Sequence, residues 1–205
     1  MAADDSSNTE DQQVQQILAA LSETVPRWVA DLATEGERSA VIVGAAQLDN
    51  ALEQYLLIVL QPQPGGDDKL FGENGVLRNT YAKINIAYRL GIINADVERA
   101  LQLVRRIRND FAHSMESASL SEGPQRDRLD ILTKLCERNP TYQNVRRGFT
   151  DLMDRDDLSE EVERGQFSES LLDFASVMCV LLMSLMSVRA ISQRVEPSHR
   201  ASLDW

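Results

Sequence analysis

The chain has 205 residues, enough for one domain or one domain with an appendage. Hydrophobic residues make up 43% and aromatics only 5%, so a real core is expected, built by Leu, Ala and Val in packed helices. With 21 Lys and Arg against 32 Asp and Glu, the net charge is −11. That excludes broad, nonspecific attraction to nucleic acid or to an anionic membrane, but leaves room for a local basic site.

In chain order, residues 1–8 read as a disordered acidic tail, with neither a signal peptide nor a transit peptide. Residues 9–36 read as an N-terminal helix and connector. Thr9-Glu10-Asp11-Gln12 is a capping box that opens a helix to about Leu21, and Pro26 and Gly36 punctuate the stretch behind it. Thr34-Glu35-Gly36-Glu37 is a second capping box. Behind it Val41, Ala45, Leu48, Leu52, Tyr55 and Val59 recur at alternating spacings of four and three, which predicts a core helix from about Glu37 to Leu60. Asp49 lies at the edge of its apolar face and Glu53 one turn further on. Residues 61–68 have loop composition, and Leu70-Phe71-Gly72 with Gly75 predicts a tight, partly buried turn.

Val76 to Leu90 reads as a helix with Leu77, Tyr81, Ile84 and Tyr88 on one face, stopped by Gly91. Asn94 caps the next helix. A polar loop from Ser114 to Gly123 comes next, then shorter helices near Gln125–Glu137 and Tyr142–Met153 and an acidic, exposed stretch from Asp154 to Gly165. Phe167 to Arg194 reads as the last helix, ahead of a tail over 195–205. It carries no charge from Phe174 to Val188, a run shorter than the roughly 20 residues that span a bilayer, so it reads as a central bundle helix or a subunit contact. No strand pattern, repeat or low-complexity tract appears. The expected fold is all-α: a compact bundle of about six or seven helices, with one core domain over 37–194.

The helix behind Asn94 holds the most concentrated chemistry. On a wheel of about 100° per residue, Val97, Ala100, Leu101, Val104, Ile107, Phe111 and Ala112 share one arc, and Arg108 falls inside it. A guanidinium keeps its charge at any ordinary pH and is costly to bury alone. Either a carboxylate meets Arg108, with Asp49 and Glu53 the candidates, or this side faces a polar cleft or a second chain. Arg105 and Arg106 add a candidate local basic site.

His113 is one of two histidines, and an unbroken helix puts it about 140° from Arg108. The two converge only if the helix ends or distorts near Phe111, or if a dimer brings two copies together. Otherwise His113 simply caps a helix C-terminus, where a cation is favourable.

Other chemistry is missing. No phosphate-binding glycine loop, dinucleotide fingerprint, nucleophile elbow or zinc-type cluster occurs. Asp154, Asp156, Asp157, Glu160 and Glu161 lack the glycine and ligand order of a calcium loop. Cys136 and Cys179 read as reduced core or near-core thiols of a cytosolic protein. No cofactor and no metal are expected.

Residues 38–114 resemble the mannitol operon repressor family of bacterial proteins. The residues that carry the resemblance are Ser39 to Asp49, Leu70-Phe71-Gly72, Ala82 to Ile93, and Arg106-Ile107-Arg108-Asn109-Asp110-Phe111-Ala112-His113. It implies an all-helical regulator of transcription acting through protein partners. No segment reads as a basic recognition helix in a helix-turn-helix unit, Arg146 and Arg147 coming nearest, so a protein partner is favoured over operator DNA.

Arg108, Asn109 and His113 also resemble the signature of the HEPN superfamily of helical domains. In active members that signature implies metal-independent RNA cleavage at a site shared by two subunits, the arginine holding the phosphate and the histidine moving a proton. Two expectations therefore stand: a cytoplasmic, noncatalytic regulator or co-repressor, a homodimer with a protein partner, and alternatively a ribonuclease of toxin or defence type. Neither involves a membrane.

Overall fold

The computed structural model describes residues 36–63, 65, 69–114, 118–153 and 168–191. Readings made for 1–35, for Asp154 to Gly165 and for 195–205 lie outside the described residues, as do both ends assigned to the last helix. Six helices and no strand occur among the described residues, which makes the fold all-α. They are α1 (36–59), α2 (Thr80–Arg89), α3 (Ala95–His113), α4 (Gly123–Cys136), α5 (Pro140–Met153) and α6 (Glu169–Ile191).

The apolar spacing of α1 does what it foretells. Val41, Leu48, Leu52, Tyr55 and Val59 are buried, joined by Ala40 and Leu56, and Ala45 packs half-buried against them. Thr34 and Glu35 of the second capping box lie outside the described residues, but Glu37 is described. Its carboxylate reaches forward across the fold, accepting from Leu120 N and from Ser168 Oγ, each at 2.8 Å. One glutamate thus ties the start of α1 to the loop before α4 and to the start of α6.

The turn before α2 is tight, as expected. Gly75 N donates to Gly72 O and Leu77 N to Leu70 O, both at 2.8 Å. A Cβ on Gly75 would collide with the Leu70 carbonyl, so only glycine fits there.

This turn takes up Val76 to Asn79, and α2 begins four residues later than the pattern suggested. Asn79 Oδ1 caps it, accepting from Ala82 N at 2.8 Å. The buried face also differs. Tyr81 and Tyr88 are exposed, and Lys83, Ile84 and Ala87 point inward. Gly91, at φ +72°, stops the helix: its N–H and that of Ile92 close onto Tyr88 O and Ala87 O.

Asn94 caps α3 as expected, its Oδ1 accepting from Val97 N at 2.9 Å. The buried stripe of α3 comprises Ala100, Leu101, Leu103, Val104, Ile107 and Phe111. Leu103 belongs to it and Ala112 does not, so the stripe turns away from Arg108, which is exposed.

Packing then runs in order: α2 on α3, α3 on α4, and both α4 and α5 on α6. Asp110 ion-pairs with Arg128 and accepts from Gln125 at 3.3 Å, which joins α3 to α4. Arg146 bridges α5 to α6 through Asp173 at 2.8 Å and Glu169 at 3.1 Å.

Helix α6 is long and apolar enough to cross a membrane, by length and composition. Every residue from Phe174 to Leu181 is nevertheless buried in the bundle, the part of a core helix. The hydroxyls of Ser176 and Ser184 donate to the carbonyls of Leu172 and Val180, each at 2.8 Å, so neither residue leaves an unpaired hydroxyl there. Cys136 and Cys179 are buried, free thiols, raised by burial alone to about 11 and about 12. They are inert at neutral pH, as the reading of core thiols requires.

Candidate functional site

A groove of about 680 Å³ opens between α1, the N-terminal end of α2 and α3. Its floor is apolar: Ala45, Leu48 and Leu52 from α1 meet Leu101 and Val104 from α3. Its rim is cationic, with Arg78 ahead of α2 and Arg105 and Arg108 on α3.

Local structure places each arginine. Arg78 Nη1 donates to Glu73 O at 2.7 Å, which anchors it to the glycine turn. Arg105 Nε donates to Gln102 Oε1 at 3.0 Å, and its guanidinium carbon lies 5.2 Å from the centre of the Tyr81 ring, in cation–π range. Arg108 Nη1 donates to Asn109 Oδ1 at 3.3 Å. None of the three pairs with a carboxylate among the described residues.

Asp49 and Glu53 were candidate partners for Arg108, but the cation they meet is Lys83. Its Nζ lies 2.8 Å from Asp49 Oδ2 and also bonds Glu53 Oε2. Lys83 is only 2% exposed. Burial pulls its pKa down, but hydrogen bonds and charge from the two carboxylates outweigh burial, and the ammonium is held above its ordinary value. Asp49 also lines the groove, its only carboxylate among the described residues, and Lys83 occupies one of its oxygens. The lining therefore stays positive.

The other residues of the motif divide. Asn109 lines the groove beside Arg108. Arg106 is exposed outside it, so of the two flanking arginines only Arg105 belongs to the basic site. His113 is the exposed last residue of α3. The helix is unbroken through Phe111, which removes the distortion that would bring His113 to Arg108 within one chain. Arg38 on α1 closes this helix end, donating to Phe111 O and, at 3.0 Å, to Ser114 O.

Sequence reasoning missed Lys83, Arg78 and Tyr81 as neighbours of this site. The one available signal was Asp49 and Glu53, two carboxylates one turn apart on an otherwise apolar helix edge. No group of His, Cys, Asp and Glu suited to a metal ion occurs among the described residues.

A second cavity, of about 440 Å³, lies between α4, α5 and α6. Its charges cancel, with Arg126 and Arg146 paired to Asp130 and Asp173 and the lining completed by Lys134 and Glu137.

No family model, no curated protein and no solved structure matches this chain. The likenesses to the mannitol operon repressor family and to the HEPN signature thus rest on their motif residues alone.

Proposed function

We propose that the chain is a noncatalytic regulator of transcription of the mannitol operon repressor type, a cytoplasmic bacterial protein that works as a helical dimer through protein partners. The observation that carries this reading is the lining of the α1–α3 groove. Among the described residues it holds three arginines, two asparagines, no imidazole and one carboxylate, of which Lys83 binds one oxygen. Such a lining suits binding, and among the described residues it offers no histidine to take and return a proton. Tyr81 and Tyr88, exposed two turns apart on α2, add the kind of aromatic surface that protein contacts favour.

A second reading, a HEPN-type metal-independent ribonuclease, draws on one specific observation. Arg108 and Asn109 sit side by side in the groove, and His113, the exposed last residue of α3, is accessible to a second chain.

One experiment separates the two. The chain and its His113→Ala variant are expressed beside a reporter driven by promoters from the gene's own neighbourhood, and both purified proteins are incubated with structured RNA in EDTA. The regulator reading expects altered reporter output that His113→Ala preserves, with intact RNA in both incubations. RNA cleaved by the natural chain and spared by His113→Ala would overturn it in favour of the nuclease.

A further inference from the structure

We infer that the α1–α3 groove is the binding site for a small organic anion: an apolar or aromatic body with one carboxylate or phosphate head. Three features point to the head. Arg78, Arg105 and Arg108 border one cavity with no carboxylate partner among the described residues, and a guanidinium fork matches carboxylate and phosphate oxygens in pairs. The N-terminal end of α2, residues Asn79, Thr80 and Tyr81, opens on the same cavity, so the positive end of the helix dipole adds to the field. Among the described residues the one acidic group in the lining, Asp49, is held by Lys83.

The body is set by the floor. Leu48, Leu52, Leu101 and Val104 are already packed beneath the groove, and the apolar surface still open on it comes from Ala45, Ala46 and Tyr81, which a bare inorganic ion leaves unused. Tyr81 is 55% exposed and presents aromatic surface at the rim.

Size and charge decide against a polymer. The cavity volume lies within the roughly 300–1,000 Å³ of small-ligand pockets. A chain of net charge −11 repels each further phosphate of a nucleic acid or carboxylate of an acidic peptide, but costs a single anionic head little. The site suits an effector that changes how the regulator meets its partner.

This inference rests on the noncatalytic reading of the groove, yet the two fail separately. RNA cleavage lost in His113→Ala would sink the regulator reading and leave the affinity for small anions unchanged.

The test is calorimetric titration of the full chain with benzoate, phenyl phosphate, inorganic phosphate, benzamide and a 12-nucleotide single-stranded RNA. Benzoate or phenyl phosphate should bind at least about ten-fold tighter than inorganic phosphate and than neutral benzamide. Whichever of the two binds tighter names the head. The double variant Arg105→Ala/Arg108→Ala should weaken that binding at least about ten-fold, with its thermal unfolding unchanged, and Arg106→Ala should leave affinity as it is.

Three outcomes would each overturn the proposal: benzamide binding as tightly as the anions, Arg106→Ala weakening binding as much as the groove variants, or no heat from either aromatic anion at about 10 mM. RNA binding tightest of all and depending on Arg108 would overturn it too, and would assign the groove to nucleic acid.

Discussion

Lys83 of α2 lies 2.8 Å from Asp49 of α1 and also bonds Glu53, so one ammonium clamps two helices and is shared by two carboxylates, with Asp49 on the groove wall. Lys83→Met keeps the length of the side chain but removes its charge. Asp49 and Glu53 are then left as like charges one turn apart. Removing one partner of a fully buried pair costs about 3–5 kcal/mol. Both carboxylates keep some exposure, and Asp49 Oδ1 is already without a hydrogen bond, so the expected loss is nearer about 2 kcal/mol, read as the shift in a urea midpoint. A change under about 0.5 kcal/mol would reject the clamp.

The second prediction concerns alkaline pH. The Cys136 thiol is pushed up to about 11 and the Cys179 thiol to about 12, both by burial. Lys83 is raised as well, its carboxylate partners outweighing the opposing effect of burial. Groups with raised folded values contribute stability that is fully present below their unfolded values and is lost as pH climbs through the folded ones. Stability should hold up to about pH 8.5, where unfolded thiols begin to ionise, and then fall steadily. Urea melts from pH 7 to 11 should show this limb. In Cys136→Ala/Cys179→Ala the limb should start later, whatever the baseline cost of the two cavities. An unchanged slope would show that the thiols do not set it.

Arg38 anchors the C-terminal end of α3 by donating to Phe111 O and Ser114 O. In Arg38→Ala those carbonyls lose their charged donor. The side chain is exposed, so the global cost is small, about 1 kcal/mol. The local effect is larger: amide exchange at Ser114, whose N–H bonds Asp110 O, should quicken at least several-fold relative to exchange at Val104. Equal protection at the two positions would contradict the anchoring role.

Gly75→Ala tests the turn that holds Arg78. A Cβ there would run into the Leu70 carbonyl, and forcing an extra carbon into a packed site costs about 1–3 kcal/mol. The thermal midpoint should fall. In a proton–nitrogen spectrum the Arg78 side-chain signal should move while that of Arg146, across the bundle, stays in place.

Arg108→Ala should leave stability within about 0.5 kcal/mol, because the side chain is exposed and bonds only its neighbour Asn109 among the described residues. A drop of about 2 kcal/mol or more would mean that Arg108 is an architectural cation after all.

The helices were legible in the sequence because their signals are local. The spacing of Val41, Leu48, Leu52, Tyr55 and Val59 marks α1, and Asn94 marks the start of α3. Arg108 does line the groove, but it was singled out for a partly wrong reason. Counting Ala112 and omitting Leu103 rotated the apparent face of α3 toward it, whereas the bundle buries the side centred nearer Phe111. Asp49 and Glu53 were noticed as a pair in need of a cation, yet a single-helix wheel carries no register between helices, so it could not choose Lys83 over Arg108. Lys83 itself sits where a lysine is ordinarily solvated, and only tertiary packing turns it inward. Arg78 was invisible as a site residue because a glycine turn, not a helix, delivers it to the groove, and Tyr81, in the first turn of α2, was read as sharing a face with Leu77 and Ile84.

Helix α6 is the last of the six to leave the ribosome, yet its Leu171, Phe174, Val177, Met178 and Leu181 fill the same core as residues from α1, α2 and α3. Until it emerges, the faces of α4 and α5 that pack on it stay uncovered. A nascent chain paused before Glu169 is therefore a client for chaperones, and premature stops upstream of α6 yield aggregates rather than smaller working proteins.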